Sequence, residues 1–255
     1  MTVASRLEGI PMDVRSLHVM LDLPAETADA ASLFWATALG WPLGEPWPGH
    51  PEFQSFSPPA GDSYVARQLI DSGSAGIHVD VAVDDVSEVA AHMELLGATR
   101  GPVMPYWQVM RSPGGLPYCV VPHRDSTPPE ASVWPDDGGH RSRLVQICID
   151  SPPSRHDAEV AFWRSATHWT WSESTGAEFA GKLRPGPGSP VQLLFQRLGD
   201  EAPATRAHID LGTDDVEEET ARLANAGASL LRRGDGWIAL ADPAGLAFCV
   251  TANSP

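Results

Sequence analysis

The sequence predicts an α+β fold of two tandem domains, each built from a pair of β-α-β-β-β units. Three observations predict it. The first is an internal repeat. Ile77 to Val86 reads Ile-His-Val-Asp-Val-Ala-Val-Asp-Asp-Val and Ala207 to Val216 reads Ala-His-Ile-Asp-Leu-Gly-Thr-Asp-Asp-Val, and each is followed by a helical run and a Gly-Ala stop, Gly97-Ala98 or Gly227-Ala228. His78 and His208, Asp84-Asp85 and Asp214-Asp215, and the two stops all stand 130 residues apart. That period is far longer than a solenoid unit, so each copy is a domain. The second is length, because 255 residues suit one large or two small domains, and the repeat decides for two. The third is a finer echo within the first half, where His18 and His78 sit on the polar faces of two alternating strands 60 residues apart.

Taken in order, residues 1–13 read as a loose lead-in. Arg15 to Leu23 alternates, with Leu17, Val19, Leu21 and Leu23 on one face and His18, Met20 and Asp22 on the other, as in a half-buried strand. Glu26 to Leu39 carries an apolar helical stripe of Ala30, Leu33, Phe34 and Ala38, stopped at Gly40. Trp41 to His50, rich in Pro and Gly, reads as a loop. Strands over 52–57 and 63–70 follow. Asp85 is placed to cap a helix over 86–96, with Glu88 three residues on. Short strands near 107–111 and 118–121 close the first domain, 14–123. Residues 124–140 are polar and Pro/Gly-rich and read as the linker. The second domain, 141–252, repeats the pattern: a strand over 144–150, a helix bearing Phe162-Trp163, a strand over 191–198, then Trp237, Asp242-Pro243-Ala244-Gly245 and Cys249. The early elements are offset by 128 (Phe34-Trp35, Gln68) and the later ones by 130.

The formal charge is −16, and both halves are acidic. Nucleic acid and anionic membrane are poor partners for such a surface. The three cysteines, Cys119, Cys148 and Cys249, form no CxxC pair, and no signal-like or membrane-length apolar run appears. A cytoplasmic, reducing location is the expectation.

These motifs resemble the vicinal oxygen chelate superfamily, the glyoxalase, bleomycin-resistance and extradiol-dioxygenase group. The residues that carry the resemblance are Phe34-Trp35 with Leu39-Gly40-Trp41, His78-Val-Asp, Phe195-Gln196-Arg197, His208-Ile-Asp and Asp242-Pro243-x-Gly245 before Phe248-Cys249. The resemblance implies open curled sheets around a cavity, with any metal ligands projecting from the first, fourth, fifth and eighth strands of a domain. Carried across, those positions are His18, Gln68, His78 and Cys119, and then Gln146, Gln196, His208 and Cys249. Metal-dependent relatives usually place a glutamate at the last position; here it is cysteine in both halves. Two histidines and a thiolate suit zinc, so His18, His78 and Cys119 are the candidate metal ligands, for one divalent ion (Zn, Ni, Mn or Fe) in the first domain. The other reading of Cys119 is an ordinary buried strand residue. In the second half, Gln146, Gln196, His208 and Cys249 are candidate ligand-binding groups, as is Gln68 in the first.

Asp80 and Asp210 follow the strand histidines on the same face. Asp80 is the candidate general base, with orientation of a neighbour as its alternative role. Trp35 and Trp163, on helices, are expected in the core. Trp41, Trp47, Trp107, Trp169, Trp171 and Trp237 are expected to rim cavities, with Trp107 and Trp237 as ligand contacts. Two functions follow: a protein that binds a small hydrophobic or aromatic molecule, with or without metal, or a glyoxalase-type lyase or isomerase working on a carbonyl substrate in the first half. A monomer or a homodimer is compatible with both. Whether the units pair within a half or across the linker is left open by the sequence.

Overall fold

The structure, a computed structural model, describes residues 14–134, 139–174, 176, 178–186 and 188–255. The proposed lead-in lies outside the described residues. The first half runs β1 (Ser16–Pro24), α1 (Ala28–Leu39), β2 (Leu43–Trp47), β3 (His50–Phe56), β4 (Val65–Ile70), β5 (Gly76–Val83), α2 (Val86–Leu95), β6 (Thr99–Val103), β7 (Gln108–Arg111) and β8 (Pro117–Pro122). After β9 (Ser132–Trp134), the second half runs β10 (His140–Ser151), α3 (His156–Thr167), β11 (Thr170–Glu173), β12 (Phe179–Arg184), β13 (Gln192–Arg197), β14 (Arg206–Thr213), α4 (Val216–Asn225), β15 (Ser229–Arg233), β16 (Trp237–Ala241) and β17 (Ala247–Thr251).

Each half forms its own mixed, open sheet, in the order β2-β3-β4-β1-β5-β8-β7-β6 and, for the second, β11-β12-β13-β10-β14-β17-β16-β15. The units therefore pair within a half. At each centre two strands run antiparallel: β1 with β5 sets His18 opposite Asp80 and Met20 opposite His78, and β10 with β14 sets Gln146 opposite Asp210 and Cys148 opposite His208. The Asp caps form as the sequence suggests, with Asp85 accepting from the Glu88 amide at 2.9 Å and Asp215 from the Glu218 amide at 3.0 Å. Gly40 closes α1 with a φ of 72°, the left-handed conformation that glycine adopts without a Cβ penalty.

Four strands depart from expectation. The Trp41 to His50 segment is not all loop, because Leu43–Trp47 forms an edge strand, the place where Pro46 can sit without breaking a ladder. The exposed edge strands β6 and β15 lack an apolar face and so have no period-2 signature. The linker carries β9, which pairs with the start of β10. Among the described residues, no helix is long and apolar enough to cross a membrane.

One hydrophobic core serves both halves. Leu17, Val19, Leu21 and Leu23 point into it from β1, as Leu144, Ile147 and Ile149 do from β10. Between the sheets lie α1 and α3, each docked on the other half. Phe34 and Trp35 of α1 pack on Phe248 of β17, at ring-centroid distances of 5.6 and 5.1 Å, and Trp35 Nε1 donates to Asp242 at 2.8 Å. Reciprocally, Phe162 and Trp163 of α3 pack on Tyr118 of β8. Glu159, fully buried, accepts from Trp163 Nε1, the Ser112 hydroxyl and the Gly114 amide at 2.8, 2.8 and 2.7 Å. Burial raises the Glu159 carboxyl above its ordinary range, and these three donors offset part of that rise. Arg222 of α4 donates to the Thr37 and Ala38 carbonyls at the C-terminus of α1, where a cation is favoured, and stacks over Trp134 at 3.5 Å.

Replacing Glu159 by Ala strands three buried donors at the seam, each costly when unmet. The expected loss is about 3 kcal/mol of stability, read by urea denaturation; an unmoved midpoint would show that the seam carries little of the stability.

Candidate active site

The faces of the sheets turned away from the shared core carry a constellation that occurs twice. In the first half His78 Nδ1 meets Asp22 Oδ1 at 2.8 Å, its Nε2 lies 3.7 Å from Asp80 Oδ1, and Cys119 completes a close trio with His78 and Asp80. In the second, His208 Nδ1 meets Asp150 Oδ2 at 2.9 Å and its Nε2 lies 3.4 Å from Asp210 Oδ1, with Cys249 beside them. Asp22 and Asp150 were not singled out from the sequence. Their signal is there: they stand 128 residues apart, on the polar faces of their strands.

The second copy is more elaborate. Cys148 replaces Met20 at the matching place, so Cys148, Asp150 and His208 make a further close trio. The Gln146 amide donates to Asp210 Oδ2 and its carbonyl accepts from Gln192 Nε2 at 2.7 Å. Gln146 thereby orients Asp210, whose other oxygen, Oδ1, is buried, takes no hydrogen bond among the described residues and pairs with His208 Nε2 at 3.4 Å. Burial pushes the Asp210 carboxyl up to about 6, against the pull of the His208 charge, and Asp80 is likewise raised to about 6. Burial alone would push His208 down, but the Cys148 sulfur and the Asp150 carboxylate hold it well above the ordinary histidine range. Burial also raises Cys148, which stays a thiol, so Asp150 is the neighbouring charge that acts on His208 at neutral pH. All three cysteines are free. Cys148 on β10 and Cys249 on β17 are separated by β14, two strand spacings or about 10 Å, beyond the reach of a disulfide.

The halves differ most in space. In the first, Met20, Phe53 and Ala66 pack with Trp47 and Trp107 across the face that should be a cavity. Trp47 lies 5.2 Å from Phe53, and Trp107 lies 5.9 Å from Phe53 and 5.2 Å from His50. In the second half the corresponding face opens into a cavity of about 610 Å³, lined by Gln146, Cys148, Asp150, Gln196, His208, Asp210, Trp237 and Cys249 together with Lys182, Glu178 and Phe179.

The structure therefore redistributes the residues picked from the sequence. His78, Cys119 and Asp80 come together; His18 does not join them, its Nε2 lying 3.4 Å from the Ser16 hydroxyl instead. Gln68 lies in register with Asp22, outside the trio. Gln146, Gln196, His208, Trp237 and Cys249 share the open cavity. Of the six tryptophans expected at cavity rims, Trp237 lines it. Trp41 is buried against Tyr64, Trp169 and Trp171 pack on the core, and Trp47 and Trp107 fill the first-half face, because apolar rings bury wherever space is left.

The donors fit a divalent ion. An aspartate on Nδ1 fixes the histidine ring and turns Nε2 to the site, as is common for metal-bound histidine. The 3.4 Å between His208 Nε2 and Asp210 Oδ1 is close to the ligand spacing of a tetrahedral zinc centre, roughly 3.5 Å. Asp210 Oδ1, which takes no hydrogen bond among the described residues, supplies the carboxylate oxygen beside Nε2.

Two tandem curled sheets, each carrying such a trio, define a vicinal-oxygen-chelate type of protein. A family model for the glyoxalase-like domain matches residues 18–121 and again 146–251, so the chain belongs to that family, twice over. The Mn(II)-bound glyoxalase from Novosphingobium aromaticivorans superposes with a TM-score of 0.65 at 19% identity, covering 94% of this chain and 82% of its own. A mutant of 4-hydroxymandelate synthase from Streptomyces coelicolor gives 0.59 at 16% identity, covering 96% and 94%. The 2,3-dioxygenase LapB from Pseudomonas sp. KL28 gives 0.61 at 11%, covering 95% and 93%. At these identities the likeness is one of fold. No curated protein sequence matches the chain.

Trp107 and Trp237 occupy matching positions but not matching surroundings. Trp107→Ala should cost about 3 kcal/mol, since it empties a packed aromatic cluster, and Trp237→Ala, on an open wall, about 1 kcal/mol. Parallel urea denaturation of the two variants checks the difference; equal losses would mean that the first-half face is not packed shut.

Proposed function

We propose that the chain is a glyoxalase-type isomerase or lyase that binds a small carbonyl compound in the second-half cavity and moves a proton on it. The observation that carries this reading is the Asp210 carboxylate in the cavity lining, its Oδ2 held by Gln146 and its Oδ1 paired with His208 Nε2 at 3.4 Å. A base works best with a pKa near the working pH, and burial brings Asp210 to about 6. His208, kept cationic by Asp150, faces the same space and can donate to a developing oxyanion. Cavity walls of Phe179, Leu194 and Trp237 favour an apolar or aromatic body on the ligand. The first half keeps its Asp22–His78–Asp80 assembly, but its face carries a packed cluster of Met20, Phe53, Ala66, Trp47 and Trp107.

Alternatively, a divalent ion would be held by His208, neutral at Nε2, with Asp210 and Cys249, and in that state Asp210 is a ligand and no longer the base. When bound there, it supplies Lewis acidity toward a carbonyl oxygen. On this reading the ion would sit in the second half rather than on His18, His78 and Cys119. Asp150 and Gln146 act on the site in either state, by fixing the ring and the carboxylate.

The test is deuterium incorporation beside the carbonyl, followed by NMR in D₂O, for a panel of hydroxyketones, oxoaldehydes and their thiol adducts. Wild-type protein is expected to catalyse exchange, Asp210→Asn to lose it by at least about 100-fold, and Asp80→Asn to keep it. Exchange that survives in Asp210→Asn, or that is lost in Asp80→Asn instead, sinks the reading.

Elemental analysis after incubation with zinc, manganese, nickel or iron tests the ion separately. About one ion per chain, lost in His208→Ala and kept in His78→Ala, is expected; no uptake would leave the proton transfer to the side chains alone.

A further inference from the structure

Lys182 is the only lysine among 17 basic residues, in a chain of net charge −16. It projects from β12 into the second-half cavity, half-buried. Among the described residues its ammonium makes no close ion pair with a carboxylate; Asp210 acts on it at longer range, and its hydrogen bond goes to Asn253 Oδ1, at a long 3.4 Å. A half-buried ammonium with most of its donors unmet is costly unless something anionic meets it.

The duplication shows that this cation is not a requirement of the scaffold. Lys182 pairs in register with Leu194, and in the first half the matching strand residue, opposite Ala66, is Ser55. Ser55 accepts from Trp47 Nε1 at 3.0 Å and belongs to the filled face. The half with the open cavity thus carries a lysine where the closed half carries part of its aromatic packing.

Lys182 does not act alone. Arg232 stacks 4.6 Å over Trp237 at the wall, and Arg197 and Arg206 stand exposed on the lining. On the other side, Asp150 and Asp210 flank the cationic His208, so much of their charge is already answered within the protein.

Resting on the reading of this cavity as the working one, we propose that its substrate is a small organic acid, whose carboxylate is taken by Lys182 while its apolar body lies between Phe179, Leu194 and Trp237. The carboxylate and the reacting carbon then occupy different parts of the cavity, one at β12 and one beside His208 and Asp210 on β14. Lys182 sets which molecules enter and how they lie; it moves no proton.

Calorimetric titration with a panel of aromatic and aliphatic carboxylic acids, each paired with its primary amide, tests this. Wild type is expected to bind at least one acid about tenfold or more tighter than its amide, the scale of one charge-assisted hydrogen bond. Lys182→Met should abolish that preference by weakening the acid and leaving the amide, and Lys182→Arg should restore part of it. A panel in which no acid exceeds its amide overturns the proposal, and so does a preference that persists in Lys182→Met, which would put the anion elsewhere. Binding is read without turnover. Absence of an acid preference in wild-type protein that does catalyse deuterium exchange therefore counts against the lysine alone, and an acid preference in wild-type protein that catalyses no exchange counts against the proton-transfer reading alone.

Discussion

The architecture rests on an exchange of helices. α1 lies under the second sheet and α3 under the first, so neither half finishes its core with its own residues. The polar contacts at this seam are demanding. Trp35 needs Asp242, Trp163 needs Glu159, and Glu159 also collects a hydroxyl and an amide from the Ser112 turn. Buried donors of this kind tolerate little displacement before they lose their acceptors. With their inner faces pinned, the sheets curl outward, and each free face receives a column of polar side chains from its central strands.

That fixed frame lets the two halves diverge on their outer faces. Both retain an aspartate on Nδ1 of a strand histidine, a second aspartate near Nε2 and a cysteine on the eighth strand. The differences lie around this centre. Met20 and Ala66 join a cluster of rings in one half, whereas Cys148 and Lys182 border open space in the other. The same strand scaffold thus carries a self-packed face and a hollow one. The choice is made by a few side chains on the strand opposite the histidine and on those beyond it.

Much of this was written plainly in the chain. The 130-residue register of the histidines, acidic turns and Gly-Ala stops reports the duplication, and alternation on β1 and β5 reports which side chains face outward. What alternation does not report is which strand lies next to which and in what register. Asp22 therefore passed unnoticed although its duplicate, Asp150, stands at the matching place; its importance depends on β1 running antiparallel to β5, so that its carboxylate reaches His78. His18 failed for the same reason, since a shared face does not make a shared site when the side chain ends against Ser16. The tryptophans were the least legible. An indole carries the same signal in a wall, a plug or a core, and only the volume around Trp41, Trp107 and Trp237 separates them. Edge strands such as β6 gave no signal because both their faces meet solvent.

The strand within the connection has a consequence of its own. β9 pairs with β10, Ser132 donates to the Leu39 carbonyl and Trp134 lies beneath Arg222, so this stretch is tied to both halves well after the first sheet has ended. The peptide upstream of it is fixed as well, Thr127 exchanging hydrogen bonds with Asp62 at 2.8 Å and the Pro129 carbonyl accepting from Arg143, and it keeps the local concentration of one half near the other high. Opened there, the chain would become two polypeptides meeting through one large apolar surface, a heterodimer made from what was a single gene product. Partner choice would be decided by the two unlike turns, the Ser112 turn for α3 and the Asp242 turn for α1, which suit unlike helices and so discriminate against pairing of either half with itself.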